Sequence, residues 1–195
     1  SKQYAFGVAY EPAEWLDFSL DYFNIKIDNR IKSFSSGELI NLQNAGRALP
    51  SGMSVERNQF GEIERVVRGF GNQGTLETSG LDLNLNTRFD LNEFGALRQN
   101  LTFSYTSKYD VDGVDQMQFD AFPEYRGVLA NVYSIGDFDV AWNVNVIGDT
   151  TDPSGDPVPH WITNDVQVTY NADWNGKVTV GVRNAGEQTP PIYLG

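Results

Sequence analysis

Long runs of alternating apolar and polar residues dominate this sequence and narrow the class of fold it can adopt. In the stretch FDVAWNVNVIGD, every second residue from Phe138 to Val146 is apolar, and Asp139, Asn143 and Asn145 lie between them. A period of two is that of a β-strand whose two faces meet different surroundings. The pattern recurs along most of the chain while helical periodicity is almost missing, so the sequence predicts an all-β protein.

About eight strands are predicted, following one another as an antiparallel up-and-down meander. They cover residues 4–10, 15–31, 62–91, 97–109, 124–135, 138–149, 160–170 and 177–183. The short turns EPAEW, LNEFG, IGD and ADWNG alternate with the long connections 33–60, 107–121 and 149–158, and the first of these is predicted to be irregular apart from one helical turn near 38–44. Short turns at one end and long loops at the other are typical of outer-membrane barrels.

The apolar side of these strands could meet either a protein core, as in a soluble sandwich, or lipid. Two features of the sequence favour lipid. The stretch from Trp15 to Ile31 would span roughly 55 Å at ~3.3 Å per residue, far beyond the usual soluble strand of about 5 to 6 residues. Aromatic residues gather near strand ends, as in the girdles of membrane barrels. They are Trp15, Tyr22, Phe89, Tyr105, Tyr109, Tyr133, Phe138, Tyr170 and Trp174.

A third feature is a change of parity inside the second predicted strand. Its apolar residues are even-numbered as far as Tyr22, and beyond it they are the odd-numbered Phe23, Ile25 and Ile27. Either a β-bulge intervenes, or the lipid-facing band ends at Tyr22 and Ile25 and Ile27 point inward. Both explanations stay open at this point.

Charge and composition exclude several classes of function. The 195 residues carry a net charge of -12 without a clustered Lys/Arg face, which argues against nucleic acid. Cysteine is absent, so neither a disulfide nor a thiolate site can form within the chain. No window approaches the roughly 18 to 20 apolar residues of a spanning helix, whereas a membrane strand needs only about 9 to 11 residues. Any secretion signal is expected outside this chain, which starts on a strand pattern and is expected to be a fragment.

Two motifs suggest chemistry but are better explained by structure. GFGNQG at 69–74 matches the dinucleotide pattern G-x-G-x-x-G, but that pattern requires a following helix, and a strand is predicted there instead. DVDGVD brings Asp110, Asp112 and Asp115 together, yet Gly113 stands at the fourth rather than the sixth position of an EF-hand loop and no Glu closes it. An exposed acidic loop is the preferred interpretation, with a divalent ion at the surface as the alternative.

The remaining candidate residues are also better explained by structure than by chemistry. His160 is the only histidine, so no two-histidine metal site can form within the chain, and we expect it at a loop-to-strand junction. Asn100 begins an N-glycosylation sequon, but it lies inside a predicted strand, so it is not interpreted as a glycosylation site. Asp82 and Asp139 are predicted to face the polar side. No catalytic, cofactor-binding or metal-binding residue is predicted, and we do not expect an enzyme.

Four segments carry a resemblance to a known family. They are LDFSLDYFNIKIDNRI, TSGLDLNLN, PEYRGVLANVYSIGDFDVAWNVNVIGD and HWITNDVQVTYNADWNGKVTVGVRNAGEQTPP. In order and spacing they resemble the C-terminal part of the β-barrel of TonB-dependent receptors, the outer-membrane active transporters of Gram-negative bacteria. The likeness covers essentially all of 1–195, and Trp174 to Pro191 resembles the penultimate strand entering the last extracellular loop. It implies about eight strands of a 22-stranded barrel, without the plug domain, the TonB box or the closing strand.

The resemblance also implies a function. Such receptors import scarce nutrients, such as ferric siderophores, cobalamin or oligosaccharides, with TonB-coupled energy. Here the loops 33–74, 107–121 and 149–159 would contribute to the ligand vestibule, with no individual ligand-binding residue implied. The expected partners are outer-membrane lipid and lipopolysaccharide, the receptor's own plug domain, TonB through the missing N-terminal part, and the nutrient. Neither a cofactor nor nucleic acid is expected, and the implied location is the outer membrane of a Gram-negative bacterium.

Two alternatives remain. One is a self-contained eight-stranded outer-membrane barrel with a side-chain-filled interior, although the sequence ends on PPIYLG without a predicted closing strand. The other is a soluble β-sandwich that binds a ligand such as carbohydrate.

Overall fold

A computed structural model describes residues 1–117, 122–152 and 154–191, most of which belong to strands. The strands are β1 (Lys2–Ala13), β2 (Leu16–Ser33), β3 (Ser54–Arg57), β4 (Ile63–Val67), β5 (Phe70–Asp90), β6 (Ala96–Val111), β7 (Val114–Asp115), β8 (Tyr125–Ile135), β9 (Phe138–Ile147), β10 (Thr150–Thr151), β11 (Pro157–Val158), β12 (Trp161–Asn171) and β13 (Lys177–Val182). One helix, α1 (Ser36–Asn44), and one 3-10 turn (Asn92–Phe94) complete the secondary structure of the described part. In those residues no helix is long and apolar enough to cross a membrane.

Eight long strands form one antiparallel sheet in the order β1-β2-β5-β6-β8-β9-β12-β13. The small strand β7 pairs with the end of β6, and β3–β4 and β10–β11 form separate hairpins. Short turns join the strands at one end of the sheet, here called the short-turn end, and long connections join them at the other, the long-loop end. The predicted meander is therefore confirmed. Within the described residues β1 and β13 each pair on one side only, so these eight strands do not close on themselves.

One face of the sheet is apolar across all eight strands. Residues directly opposite each other in antiparallel strands share a face, and the register aligns the apolar residues in rows. One row runs Phe18, Leu85, Leu101, Leu129 and Val144, and the next runs Leu20, Leu83, Phe103, Gly127 and Val146. No second sheet among the described residues covers this face, and large side chains on it are exposed. A soluble sandwich is therefore not formed by this part of the chain.

A short polar row crosses the apolar face without exposing free polar groups. The Thr87 hydroxyl donates to the Gln99 side chain at 3.2 Å, and Gln99 donates to Asn131 at 2.7 Å. Asn131 in turn donates to the backbone oxygen of Trp142 at 2.9 Å. Thr87 and Asn131 are both buried. Because these polar groups hydrogen-bond to one another within the sheet, they do not need a partner from outside the apolar face.

Aromatic residues border the apolar face at both ends. At the short-turn end Trp15 stacks on Phe89 with ring centroids 5.5 Å apart, and Phe138 meets Tyr170 at 5.1 Å. At the opposite border Tyr22 and Tyr105 lie on the same face, each in register with Leu81. Tyr109 is an exception, because a β-bulge at Ser107 turns it to the opposite face. The predicted place of Tyr109 in the aromatic girdle was therefore wrong.

Three local predictions also differ from the structure. Pro12 does not mark a turn but lies in the bulged end of β1, between the paired residues Tyr10 and Ala13, where its missing N–H is not needed. The loop predicted from residue 107 begins later, because β6 continues to Val111 and turns back at once into β7; residues 118–121 of that loop lie outside the described part. The connection 33–74 is largely ordered, with more than two turns of α1 and the β3–β4 hairpin.

Gly80 allows the strands to pack closely, and this makes a testable prediction. A Cβ at Gly80 would lie 2.3 Å from the backbone oxygen of Tyr105 and 2.7 Å from the ring of Phe23. We expect Gly80→Ala to lower the free energy of unfolding by about 1–3 kcal/mol, because the Tyr105 oxygen is a backbone atom that cannot move away without a backbone shift. The measurement is denaturant unfolding of the complete receptor in detergent.

The matched control is Gly37→Ala in the first turn of α1, where the nearest atom to the added Cβ is 4.0 Å away. Alanine is the better helix former, so this variant should be as stable as the parent or slightly more so. Equal stability of both variants would contradict the packing role of Gly80.

Candidate ligand vestibule

The apolar residues of β2 change face beyond Tyr22, and no bulge in β2 causes the change. Pairing with β5 runs without a shift from Leu16 opposite Thr87 to Ile27 opposite Leu76. Pairing with β1 is regular from Phe18 to Lys26. Parity is therefore preserved through this part of β2. The structure therefore excludes a bulge at this point, and Ile25 and Ile27 lie on the face opposite that of Leu20.

Neighbouring strands extend this change into a patch at the long-loop end. In β5, Leu76 and Thr78 lie opposite Ile27 and Ile25, and in β6 the bulge at Ser107 brings Tyr109 and Val111 to the same face. We call this surface the inner patch; it consists of Phe23, Ile25, Ile27, Leu76, Tyr109 and Val111, all half-buried. The ring of Tyr109 stacks on Phe122 with centroids 4.3 Å apart. The inner patch therefore combines the aromatic ring of Tyr109 with branched aliphatic side chains.

Below the inner patch, the same face is polar. Asn86 donates to the Asp17 carboxylate at 2.7 Å, and Asn100 donates to Asn86 at 2.7 Å. Further along, the Ser104 hydroxyl donates to Asp82, and Asp139 accepts from Ser134 and Asn171. The predicted polar orientation of Asp82 and Asp139 is confirmed. This face therefore has two zones, a hydrogen-bonded polar wall near the short turns and the inner patch near the long loops.

The connection between β2 and β5 folds around a small core of its own. Leu39 of α1 is fully buried, and Phe34, Met53 and Val55 pack with it. The helix begins with a capping box, in which Ser35 accepts from the Glu38 N–H and the Glu38 carboxylate accepts from the Ser35 N–H. This loop is therefore a structured unit that can hold side chains in fixed positions.

Two side chains tie the β3–β4 hairpin to α1: Gln43 of the helix donates to the Val55 backbone oxygen at 2.8 Å, and Arg57 of the hairpin contacts the end of the helix. The guanidinium of Arg57 donates to Gln43 at 3.0 Å, to Asn44 at 2.9 Å and to the backbone oxygen of Gly61 at 2.8 Å. Arginine suits this role because its fork offers several donors in fixed directions. These contacts therefore fix the hairpin relative to the helix.

Asp112 ties the turn after β6 to the connection between β2 and β5. Its carboxylate lies 3.2 Å from the Lys32 ammonium and 3.5 Å from the Arg30 guanidinium, and it accepts from the Thr75 N–H at 2.7 Å. Lys32 also contacts Glu38 at 3.1 Å. We call this group the loop clamp: Arg30, Lys32, Glu38 and Asp112. It links the turn between β6 and β7 to the first turn of α1.

The charges of the loop clamp stabilise one another. Burial raises the pKa of Asp112, but the Thr75 N–H and the Lys32 ammonium outweigh burial and hold that pKa below its ordinary value. The Ser35 N–H, followed by Lys32, lowers the pKa of Glu38. For Lys32, burial lowers the pKa, yet the hydrogen bonds to Glu38 and Asp112 raise it overall. All three groups are therefore charged near neutral pH.

Two cavities open beside the loop clamp. One has a volume of about 380 Å³ and is lined by Lys32, Phe34, Glu38, Asn41, Leu42, Ala45, Arg47 and Gln73. The other, of about 420 Å³, is lined by Ser33, Phe34, Ser35, Glu38, Arg68, Gly69 and Phe70. Each joins apolar side chains to an exposed arginine, Arg47 in the first and Arg68 in the second. Pockets of this size and mixed lining are common ligand sites.

The structure separates Asp112 from Asp110 and Asp115, which lie directly opposite each other in the β6–β7 pair. Asp110 accepts from the Gly113 N–H and Asp115 from the Met117 N–H, while Asp112 belongs to the loop clamp. Among the described residues, no group of three or more acidic or histidine side chains is placed to hold a metal ion. His160 is exposed and directly precedes β12, at the predicted junction. The glycines at 69–74 lead into β5 rather than a helix, and β2 is irregular opposite Gly74.

Comparison with known proteins gives a family and a set of similar folds. The family model described as "TonB dependent receptor-like, beta-barrel" matches residues 1–185. No curated protein matches the sequence significantly. The siderophore receptor PirA from Acinetobacter baumannii has a similar fold, with a TM-score of 0.63 and 16% identity over 95% of this chain and 27% of that chain. The copper transporter OprC gives a TM-score of 0.60 and 12% identity over 98% of this chain and 27% of that chain.

At these identities the solved structures support the fold alone, and the chain spans 27% of the length of each. The family match, in contrast, covers most of the chain and agrees with its eight-stranded meander. This chain belongs to the TonB-dependent receptor family and forms part of the β-barrel of such a receptor.

Proposed function

We propose that this chain supplies wall and vestibule to an outer-membrane receptor that imports a scarce nutrient with TonB-coupled energy. The observation that carries the proposal is the two-zone face opposite the apolar face. Its polar wall suits hydrated contact with a plug domain inside the barrel, and the inner patch suits an organic ligand arriving from outside. The apolar face then meets outer-membrane lipid, and the long loops lie at the cell surface.

The chemistry of the vestibule favours a ligand with flat apolar groups and negative charge. The stacked rings of Tyr109 and Phe122 offer an aromatic surface. Arg47 and Arg68 bring positive charge to the two loop cavities. A ferric siderophore joins both properties, so we propose this class ahead of cobalamin or an oligosaccharide. The similar fold of PirA, which is described as a siderophore receptor, agrees with this choice.

Uptake by whole cells tests the proposed function. Cells that express the complete receptor, cells that lack it and cells that lack TonB are supplied with iron-labelled catecholate and hydroxamate siderophores. Labelled cobalamin and maltodextrin serve as parallel probes. We expect siderophore-bound iron to enter only when both the receptor and TonB are present. Receptor-dependent uptake that persists without TonB would contradict the proposal.

A tyrosine pair in β6 tests the role of the inner patch. Tyr109 lies on the inner patch, whereas Tyr105 of the same strand lies on the apolar face. We expect Tyr109→Ala to weaken siderophore binding about tenfold, because an aromatic contact and its buried area are lost. Tyr105→Ala removes the same side chain from the other face and should leave affinity within about twofold of the parent. Affinity is measured on the purified complete receptor by fluorescence quenching, and equal losses would contradict the assignment of the faces.

Two neighbouring residues of β9 test the lipid contact. Val144 lies on the apolar face in register with Leu129, and Asn143 lies on the polar wall in register with Ala130. Val144→Asp should reduce the free energy of folding into a bilayer by about 2 kcal/mol near mid-membrane, since a charge there must leave water. Asn143→Asp should cost little. Folding of the complete receptor into vesicles gives both values, and equal tolerance would show that the apolar face does not meet lipid.

The loop clamp predicts a defined dependence on pH. The pKa values of Asp112 and Glu38 are lowered, so their stabilising contribution is present above the ordinary values of 3.8 and 4.5 and is lost as pH falls below them. The raised pKa of Lys32 preserves the ion pairs up to its ordinary value of 10.5. We expect amide hydrogen exchange in α1, corrected for intrinsic pH effects, to be slow from about pH 5 to 10 and to accelerate below about pH 4.

The variant Asp112→Asn should exchange modestly faster than the parent in α1 already at neutral pH, because the carboxylate that holds Lys32 beside Glu38 is gone. Asp156→Asn, at an exposed carboxylate of the loop between β10 and β11, serves as the control and should exchange like the parent. Slow exchange in Asp112→Asn would show that the helix does not depend on the clamp.

A further inference from the structure

We propose that Arg88 and Arg98 form a second, transient binding site for an anionic nutrient, at the short-turn end of the wall where the nutrient leaves the barrel. The proposal rests on the proposed function and deepens it, because it adds an exit site to a route whose entrance is the vestibule. The exit site takes no part in capture at the cell surface. It sets how fast a captured nutrient crosses the barrel.

The two arginines face each other on the polar wall. Arg88 of β5 pairs directly with Arg98 of β6. Their neighbours Thr87 and Gln99 pair on the apolar face, so the arginines lie on the opposite one. The Cα atoms of directly opposite residues are about 5 Å apart, and like charges at such positions destabilise a strand pair. An anion bound between the two guanidinium groups removes this repulsion.

Neither guanidinium group is neutralised by an acid within the described residues. The ion pairs of that part of the chain are made by other cations, namely Lys26, Arg30, Lys32 and Lys108. Both arginine residues are exposed. The nearest acid along β5 is Asp90, whose carboxylate accepts from the Asn92 N–H at 2.9 Å. The arginine pair therefore keeps positive charge that a ligand can reach.

A cavity beside the arginine pair gives a ligand room to enter. Its volume is about 490 Å³, and both arginines line it together with Asn92, Ala96 and Ser134. A cavity of this size accommodates a small organic anion or one charged arm of a larger ligand. Guanidinium groups suit such a ligand, because their planar forks bind the oxygens of an anion through paired N–H donors.

The order of charges along the polar wall gives the arginine pair its role. Between the inner patch and the pair lie Asp17, Asp21 and Asp82, and Asp21 stands directly opposite Asp82. The side chains that donate to these acids are neutral, Asn86 to Asp17 and Ser104 to Asp82, so the negative charge is not cancelled. An anionic ligand is therefore repelled along the middle of this wall. The arginine pair offers it a favourable contact beyond the acidic stretch.

Uptake kinetics of the complete receptor in whole cells test the exit site, with an iron-labelled catecholate siderophore as the anionic probe. We expect the double variant Arg88→Gln/Arg98→Gln to lower the maximum uptake rate about tenfold. Its surface affinity, measured on cells without TonB, should equal that of the parent and shows that the variant is folded. The double variant Arg88→Lys/Arg98→Lys keeps both charges and should restore most of the rate.

Two further variants complete the comparison. Lys177→Gln removes a cation at the same end of the sheet, in β13 and outside the cavity, and should transport like the parent. If the glutamine double variant does not reach the cell surface, Arg98→Gln alone carries the test, with an expected loss of about threefold in the maximum uptake rate.

A parental uptake rate in the glutamine variant would overturn the exit site. So would a lysine double variant as slow as the glutamine variant, because charge would then not be the cause. Entry of vancomycin into cells with the glutamine variant would show that the arginines keep the barrel closed rather than bind the nutrient. A parent receptor that imports only uncharged probes would end the exit site alone. Receptor-dependent uptake that persists without TonB would end the proposed function instead.

Discussion

Unbroken pairing of β2 with its neighbours is the constraint on which the rest of the structure depends. Because the register to β5 has no shift between Leu16 and Ile27, residue number alone decides the face of each side chain in this stretch. Apolar residues occupy the outward face up to Tyr22 and the inward face beyond it. The border at Tyr22 and the β2 part of the inner patch take their positions from this change, whereas Tyr109 and Val111 reach the same face through the bulge at Ser107. Under the proposed function, this single continuous strand meets lipid up to Tyr22 and the mouth of the barrel beyond it.

The second organising feature is the order in the long connections. Loops that bind ligands gain from being held on rigid elements, since positions are then defined before the ligand arrives. Here α1 and the β3–β4 hairpin enclose a small core around Leu39, and Asp112 joins that unit to the turn after β6. The ion pairs are partly exposed, and such pairs contribute modestly one at a time. Their main effect is geometric, because they fix which side chains border the two cavities.

Much of the wall could be predicted from the sequence, because alternation with period two is a local signal that survives in every long strand. The turns at Gly136 and near Asn175 were equally readable from their residue types. Features that depend on pairing between distant segments could not be predicted. The ion pair between Lys32 and Asp112 joins residues 80 positions apart, and the inward turn of Tyr109 follows from a one-residue bulge that alternation does not reveal. The change of parity pointed to Ile25 and Ile27 of the inner patch, but no local pattern indicates that Tyr109 and Val111 join them.

The change of face at Tyr22 is tested most directly by spin labels at single cysteines in β2 of the complete receptor in a bilayer. This part of the chain contains no native cysteine that would interfere. We expect a label at Leu20 to be accessible to oxygen and shielded from a water-soluble nickel reagent, as in lipid. A label at Ile25 should show little access to oxygen, and one at Lys26 should be open to the nickel reagent. High oxygen access at Ile25, equal to that at Leu20, would contradict the change of face.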